Sequence, residues 1–113
     1  MRSKASEFPA DLADLADQAK ALSHPARLRI LQLLAEADTC ICGELVDALP
    51  LAQASVSRHL QVLREADLIT ATSDGPRTCY CLKESAVGAL ADAFNAYIGP
   101  LHDHAAPAHR GGE

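Results

Sequence analysis

The sequence predicts a small, mainly helical domain with a short β-hairpin, and two observations support that fold class. Apolar residues make up 49% of the 113 residues, yet only 4% are aromatic and tryptophan is absent. Leucine and alanine supply most of the apolar residues, which favours helices over a sheet-rich sandwich. Apolar residues also recur at intervals of three and four along most of the chain, which is the spacing of an amphipathic helix.

Two helices are predicted in the first third of the chain. Leucines and alanines at helical spacing place the first helix over residues 10–22. Ser23 or His24 can cap a second helix, and Pro25 suits the first position of that helix because its fixed φ fits a helical start. The second helix should end near Ala37, and its largely apolar surface predicts a central place in the fold.

The rest of the chain alternates between extended segments and helices. In chain order, the prediction is an extended segment at 39–42, a short helix at 44–49, a longer helix at 52–66, strands at 69–73 and 77–82 joined by a turn at 74–76, and a last helix at 84–98. The Gly99-Pro100 pair should end that last helix. We therefore expect a flexible N-terminus at 1–9, one domain at 10–98 and a flexible tail at 99–113.

The helix at 52–66 has the character of a DNA-reading helix. A tight turn around Pro50 separates it from the short helix before it, and glutamine, serine, arginine and histidine lie near its N-terminus. These side chains reach base edges when a helix lies in the major groove. The net charge of −5 argues against a nucleic-acid partner, but residues 52–64 contain no acidic residue. The hairpin then suits a wing, on which Arg77 can contact phosphate or the minor groove. The alternative is an ordinary solvent-exposed helix.

Three motifs in this order resemble the ArsR/SmtB family, the arsenic-repressor family of metal-responsive winged helix-turn-helix repressors. They are ALSHPARLRIL at 21–31, SVSRHL at 55–60 and LREADLI at 63–69, and the resemblance extends over residues 21–82. It implies five helices with a β-wing, in the order helix, helix, strand, two helices, two strands and helix. It also implies a homodimer formed through the first and last helices. The DNA contacts that the resemblance implies are Gln53, Ser55, Ser57, Arg58 and His59.

All four cysteines lie in two Cys-x-Cys motifs, at 40–42 and 79–81. In a strand, the side chains of residues i and i+2 share one face with their Cα atoms about 6.6 Å apart, so each motif offers two thiols together when it is extended. In winged-helix folds the segment before the third helix often pairs with the returning wing strand. This pairing would bring together Cys40, Cys42, Cys79 and Cys81 on one patch, with Ile41 and Tyr80 on the other face.

Such a patch has the chemistry of a site for a soft, thiol-seeking ion. Trivalent arsenic or antimony takes two or three thiolates, and zinc or cadmium takes four. Arsenic-sensing members of the family carry a third cysteine three residues after the first motif, where this chain has Leu45. We therefore expect Cys79 or Cys81 to supply the third sulfur. Two alternatives stay open: cysteines that only pack as small apolar side chains, and thiols that sense oxidants or sulfide through a reversible disulfide or persulfide.

The residues and the resemblance together predict a DNA-binding repressor that leaves a double-stranded operator when trivalent arsenic or antimonite binds. The alternatives are a redox, sulfide, zinc or cadmium sensor on the same fold, or a zinc-stabilised interaction module without a DNA role. Weaker candidates for zinc or nickel ligands are His102, Asp103, His104 and His109.

Other classes of protein lack support in the sequence. No nucleophile, phosphate loop or carboxylate pair indicates an enzyme, and we expect no obligatory cofactor, small-molecule substrate or membrane partner. Residues 1–9 lack the apolar run of a secretory signal, and no apolar stretch approaches ~20 residues. A cytoplasmic protein with reduced cysteines is therefore expected.

Overall fold

The computed structural model describes residues 7–37, 40–43 and 49–105. Within these ranges the elements are α1 (Ala10–Ala21), α2 (Pro25–Ala37), β1 (Ile41–Cys42), α3 (Gln53–Glu65), β2 (Ile69–Asp74), β3 (Arg77–Leu82) and α4 (Glu84–His104). They agree with the predicted fold class, a mainly helical winged helix-turn-helix with a small sheet. The predicted short helix at 44–49 lies outside the described residues except for Leu49, as do residues 1–6 and 106–113 of the predicted flexible ends.

The three strands form one antiparallel sheet in the order β1-β3-β2, with β3 in the centre. β2 and β3 are paired along their whole length and form the wing hairpin. β1 pairs with the other edge of β3, with Cys42 directly opposite Cys79. The predicted pairing of the extended segment at 39–42, which precedes the predicted short helix at 44–49, with the returning wing strand is therefore confirmed for Ile41 and Cys42.

The core lies between α2, α3 and one face of the sheet. Ile30 from α2, Val56 and Leu63 from α3, and Leu68 after α3 are fully buried. Partly buried side chains from the other elements pack around them, among them Leu31, Ile41, Tyr80, Leu82, Val87 and Phe94. Because burial of apolar surface is the dominant favourable term in folding, this packing fixes α3 against α2 and the sheet. The central place predicted for α2 is confirmed.

Two polar contacts define the junction between α1 and α2. The backbone N–H of Ala26 donates a hydrogen bond to Nδ1 of His24 over 3.0 Å, so His24 caps α2, as predicted. Oγ of Ser23 donates to the carbonyl oxygen of Lys20 over 2.7 Å at the end of α1. These bonds satisfy backbone groups that have no partner inside their own helix.

α3 ends in a left-handed residue, Asp67, whose φ is 66°. The N–H of Asp67 donates to the carbonyl of Arg64 over 2.9 Å, and the N–H of Leu68 donates to the carbonyl of Leu63 over 3.1 Å. These are the two bonds of a Schellman motif, and the buried Leu63 and Leu68 supply the apolar residues that accompany it. Nζ of Lys83 donates to both carboxylate oxygens of Asp67 over 2.8 and 2.9 Å. The chain thereby turns from α3 into β2.

The last helix is longer than predicted. α4 continues through Pro100 to His104, so the predicted end at Ile98 is wrong. Proline lacks the N–H that would bond to the carbonyl of Ala96, which is why the sequence predicts an end there. Both Ala96 and Pro100 are exposed, so water can hydrate the freed carbonyl while the other backbone bonds continue the helix. The first residues of the predicted tail are therefore helical.

α1 and α4 carry an exposed apolar stripe. Leu12 on α1 is 42% exposed, and Ile98 and Leu101 on α4 are 50% and 52% exposed. The two helices lie side by side and form a groove lined by Asp11, Leu12, Leu15, Ala93, Ala96 and Tyr97. Among the described helices, none combines the length and the apolar character needed to cross a lipid bilayer.

Candidate DNA-binding surface and thiol site

The N-terminal half of α3 presents polar side chains to solvent. Val56, Leu60 and Leu63 of this helix are buried against the core. Four of the predicted DNA contacts are exposed: Gln53, Ser55, Ser57 and Arg58. An amide, two hydroxyls and a guanidinium together offer both donors and acceptors to base edges. The surface has the chemistry that the prediction requires, and the contacts themselves stay a prediction.

His59, the remaining predicted contact on α3, is half-buried and bonded within the protein. Its Nδ1 lies 3.2 Å from Nη1 of Arg27, and its ring centre lies 4.3 Å from that of His24. Arg27 also donates through Nε to the carbonyl oxygen of Ala21 over 2.7 Å, at the end of α1. Arg27 therefore connects α1 to α3, and His59 positions α3 against the α1–α2 junction.

These surroundings hold the pKa of the His59 imidazole below its ordinary value. Burial contributes most because it disfavours the charged ring, and the nearby His24, Arg27 and Arg58 act in the same direction. His59 is therefore neutral at neutral pH, and its Nδ1 can accept a hydrogen bond from the guanidinium of Arg27.

Arg77, the predicted wing contact, lies at the tip of the hairpin. It is exposed, and its Nη2 donates to Oδ2 of Asp74 over 3.2 Å. Gly75 adopts φ 63° in the turn between them, a conformation that glycine accepts without a steric penalty. An ion pair between exposed groups contributes little to stability. Breaking the Arg77–Asp74 pair therefore costs little free energy, and the guanidinium of Arg77 is available to bind a phosphate instead.

The four cysteines lie on one face of the sheet, which we call the sulfur face. The register of β1 and β3 sets Cys42 opposite Cys79, and the alternation of side chains places Cys40 and Cys81 on the same side. Cys40 is exposed, Cys42 and Cys81 are half-buried, and Cys79 is buried. Ile41 and Tyr80 lie on the opposite face and pack against the core. The predicted patch of four sulfurs is confirmed.

The cysteines are joined in two disulfides, Cys40–Cys81 and Cys42–Cys79. Their Cα atoms are 4.4 and 4.0 Å apart, near the spacing of about 4.5 Å between directly opposed, non-hydrogen-bonded residues of an antiparallel pair. The predicted reduced state is therefore wrong for this structure. The prediction depended on the redox poise of the cytoplasm, whereas the strand register sets each thiol against a partner within bonding reach.

A carboxylate lies beside two of the sulfurs. The donor atoms of Cys42, Asp74 and Cys79 are all within 4.8 Å of one another, and this is the one such group of three ligand-type side chains in the part of the chain that the structure describes. β2 pairs with β3 so that Thr72 faces Cys79, which puts Asp74 on the sulfur face two residues further along. The sequence prediction has Asp74 only in a turn, although the same alternation along β2 would have placed it here.

The other metal-ligand candidates lie apart from this site. His102 and His104 are in the exposed last turn of α4, where Nδ1 of His102 is 3.7 Å from Oδ1 of Asp103. Within the described ranges they join no group of three ligands. His109 and Leu45 lie outside the described residues.

Comparison with known proteins supports the DNA-binding interpretation of this surface. Residues 22–79 match the family model of a helix-turn-helix domain. The chain is 38% identical over 71 residues to the HTH-type transcriptional regulator YgaV of Escherichia coli K12, a match that covers 63% of this chain and 72% of YgaV. It is 36% identical over 77 residues to the HTH-type transcriptional repressor SmtB of Mycobacterium tuberculosis, covering 67% of this chain and 56% of SmtB.

Solved structures share the fold. The crystal structure of a possible transcriptional regulator for arsenical resistance has a TM-score of 0.63 at 28% identity and covers 80% of this chain and 97% of its own. The solution structure of a homodimeric winged helix-turn-helix DNA-binding domain from Mycobacterium bovis, a possible ArsR-family regulator, has a TM-score of 0.62 at 28% identity. That match covers 84% of this chain and 88% of the other.

The matched segment is the part of the chain that carries the candidate site. Residues 22–79 are about half of the chain and contain α2, β1, α3, β2 and the first residues of β3. Both the exposed polar face of α3 and three of the four cysteines lie within it. The chain therefore belongs to the ArsR/SmtB family of winged helix-turn-helix transcriptional regulators.

Proposed function

We propose that this protein is a cytoplasmic transcriptional repressor that leaves its DNA operator when its reduced cysteines bind trivalent arsenic, as arsenite or an organic arsenical, or antimonite. The observation that carries the proposal is the sulfur face, where four sulfurs lie together in or beside β1 and β3. β3 belongs to the wing, and β1 precedes α3 in the chain. Thiolates are the ligands that such soft ions prefer. The resemblance to a possible regulator for arsenical resistance supports this choice of effector.

DNA binding is assigned to α3 and to the wing. The exposed polar residues at the start of α3 contact base edges, and Arg77 contacts the phosphate backbone or the minor groove. His59 holds α3 at its angle to the rest of the domain through Arg27. This arrangement makes the orientation of α3 sensitive to movement of α1 and α2.

The binding unit is a homodimer that forms through α1 and α4. The exposed apolar stripe on these helices supports the assignment, because a second copy would remove it from water. The homodimeric relative from Mycobacterium bovis has the same fold. A two-fold dimer presents two α3 helices to two half-sites of an operator.

The effector acts on the reduced sulfur face. A dithiol reductant, itself oxidised to a disulfide, supplies two electrons and two protons to each disulfide and leaves four thiols. Cys40, Cys42 and one of Cys79 and Cys81 then bind arsenite, and each thiol proton leaves with one arsenite hydroxyl as water. The bound ion fixes β1 to β3 in a new geometry, which changes the angle of the wing and strains the segment that leads to α3. A coupling free energy of about 1–3 kcal/mol would lower DNA affinity roughly 5–150-fold.

A binding assay with selected DNA tests this function. An operator is first selected from random duplex DNA by the reduced protein, and its binding is followed by fluorescence anisotropy during titration with arsenite, antimonite, cadmium or zinc. Arsenite should release the DNA from the native protein. The variant Cys40→Ser/Cys42→Ser should bind DNA and keep it, whereas the control Thr78→Ser, on the opposite face of β3, should respond like the native protein. Failure to select any DNA, or arsenite without effect on the native protein, would overturn the proposal.

The two disulfides favour a second candidate function, a thiol redox or sulfide sensor on the same fold. Hydrogen peroxide would oxidise each dithiol to a disulfide and be reduced to two molecules of water, pairing Cys40 with Cys81 and Cys42 with Cys79. The reduced protein is titrated with peroxide without any metalloid, while free thiols and DNA binding are measured together. DNA release in step with thiol loss supports this sensor, and full DNA binding by the doubly oxidised protein excludes it.

A further inference from the structure

We propose that Asp74 is the third protein ligand of a divalent-cation site formed with Cys42 and Cys79, and that this site takes a cation of the zinc or cadmium class. The inference rests on the proposed function, since it requires the thiols of the sulfur face to act as ligands when reduced. It adds a carboxylate to a site otherwise composed of sulfur and so defines a class of effector distinct from trivalent arsenic.

The positions of the three donor atoms suit a tetrahedral ion. In a tetrahedral zinc site with Zn–S bonds of about 2.3 Å, two sulfur ligands are about 3.8 Å apart. The donor atoms of Cys42, Asp74 and Cys79 all lie within 4.8 Å of one another. Once the disulfide is reduced, the two sulfurs can separate to the required distance without a change of strand register. A small rotation of the exposed Asp74 side chain would bring its oxygen into the same shell.

The fold holds Asp74 in this place from two sides. The antiparallel register of β2 and β3 sets it diagonally across from Cys79, and the turn at Gly75 follows it directly. Arg77 donates to Oδ2 of Asp74 over 3.2 Å and so orients the carboxylate. Because the same carboxylate binds Arg77, a cation at this site also acts on the arginine that the proposed function places on DNA.

The donor set selects a class of ion. Two thiolates and one carboxylate carry three negative charges, which suits a divalent cation that accepts both sulfur and oxygen, as zinc and cadmium do. Water or a thiolate of the other cysteine pair can fill the fourth position. Trivalent arsenic depends on thiolates, so loss of Asp74 should affect the divalent cations and leave arsenite binding unchanged.

Cadmium and arsenite titrations of the reduced full-length protein test the inference. Binding is followed by the ultraviolet absorption of the thiolate–metal bond in the native protein and in the Asp74→Asn and Asp67→Asn variants. Asp74→Asn should weaken cadmium binding by at least the roughly 10–100-fold typical of losing even an outer partner of a metal ligand, with arsenite affinity unchanged. Asp67→Asn, which removes an exposed acid paired with Lys83, should bind both ions like the native protein. Equal cadmium affinity of Asp74→Asn and the native protein overturns the inference.

A gain-of-ligand variant provides an independent test. In the Cys40→Ser/Cys81→Ser background, Asp74→Cys would give three thiols at one place and should raise arsenite affinity at least tenfold over the background, on the order of the effect of one added ligand. No gain would mean that side chain 74 does not reach the sulfurs, which overturns the inference. The variant Cys42→Ser/Cys79→Ser should lose cadmium binding. If a variant with all four cysteines replaced by serine still releases DNA with arsenite, the proposed function fails, and this inference, which rests on it, fails with it.

Discussion

At the scale of single residues, His59 lies on α3, the candidate DNA-binding helix, and also contacts Arg27 of α2. The family motif predicts a DNA contact for it, whereas the structure places its Nδ1 3.2 Å from Nη1 of Arg27, a residue 32 positions earlier. Sequence spacing identifies the face of a helix but not a partner so distant in the chain, so this role could not be predicted. The exposed neighbours of His59 could be predicted, because the helical pattern alone separates Ser57 and Arg58 from the buried Val56 and Leu60.

The first prediction concerns the pH dependence set by His59. Its pKa in the folded protein lies below the ordinary value of about 6.5, so on acidification the unfolded chain binds this proton first. The free energy of unfolding should therefore fall as the pH drops below about 6.5, and the loss is complete below the lower, folded-state pKa. Urea denaturation between neutral and mildly acidic pH should show a smaller fall in His59→Gln than in the native protein. Identical curves for His59→Gln and the native protein would contradict the assignment.

The second prediction concerns Arg58. Replacing it with alanine should weaken operator binding by about 1–3 kcal/mol, the loss expected for a charge-assisted contact to a base or phosphate. Because Arg58 is exposed, the free energy of unfolding should change little. Arg64→Ala removes the same charge near the other end of α3 and serves as the control in anisotropy measurements. A smaller loss in Arg58→Ala than in Arg64→Ala would place the DNA contact elsewhere on the helix.

At the scale of elements, the bounds of helices and strands were predicted best where a periodic apolar pattern begins at or just after a proline or glycine. α2 begins and ends where predicted, and the strand returning in the wing has the predicted bounds. The end of α4 was predicted too early because the cost of Pro100 is local, while the continuation of the helix depends on the hydration of one exposed carbonyl. Side-chain alternation in the strands predicts that the cysteines share one face of the sheet. Their oxidation state could not be predicted, because it depends on the oxidants and reductants around the protein and not on the residue pattern.

The third prediction tests the left-handed end of α3. Asp67→Ala and Asp67→Gly both remove the carboxylate that binds Lys83, but only alanine keeps a Cβ at φ 66°. A left-handed non-glycine residue costs about 1–2 kcal/mol, so Asp67→Gly should be more stable than Asp67→Ala by roughly 1 kcal/mol in urea denaturation. Equal stability of the two variants would show that the backbone at this position relaxes out of the left-handed region.

At the scale of the whole molecule, the predicted dimer depends on surfaces that one chain leaves exposed. The amphipathic patterns of the first and last helices could be read from the sequence, and the structure adds which apolar side chains stay in water. Leu12 lies on α1, and Ile98 and Leu101 lie on α4, whereas the predicted DNA contacts lie on α3 and the wing and the cysteines lie in or beside β1 and β3. The proposed dimer contact, the proposed DNA-binding surface and the candidate thiol site therefore use different elements of the domain.

The fourth prediction tests this contact by sedimentation velocity. Leu12→Asp and Ile98→Asp should dissociate the dimer, because each would bury an unpaired charge in the interface, while the exposed position of each side chain lets the monomer fold. Leu28→Asp on α2, where the leucine is 49% exposed, is the matched control and should leave the dimer intact. Monomeric native protein with full affinity for a two-half-site operator would contradict the prediction.

The two faces of the three-stranded sheet have a consequence for how the proposed sensor could change its ligand. Along β1 and β3 the side chains alternate, so Ile41 and Tyr80 pack against the core while the cysteines lie on the opposite face. A substitution at position 40, 42 or 81 changes the sulfur face without changing the apolar surface that Ile41 and Tyr80 present inward, whereas position 79 is itself buried. In the proposed sensor, a single substitution on the sulfur face could therefore change the ligand preference without changing the core packing or the exposed face of α3.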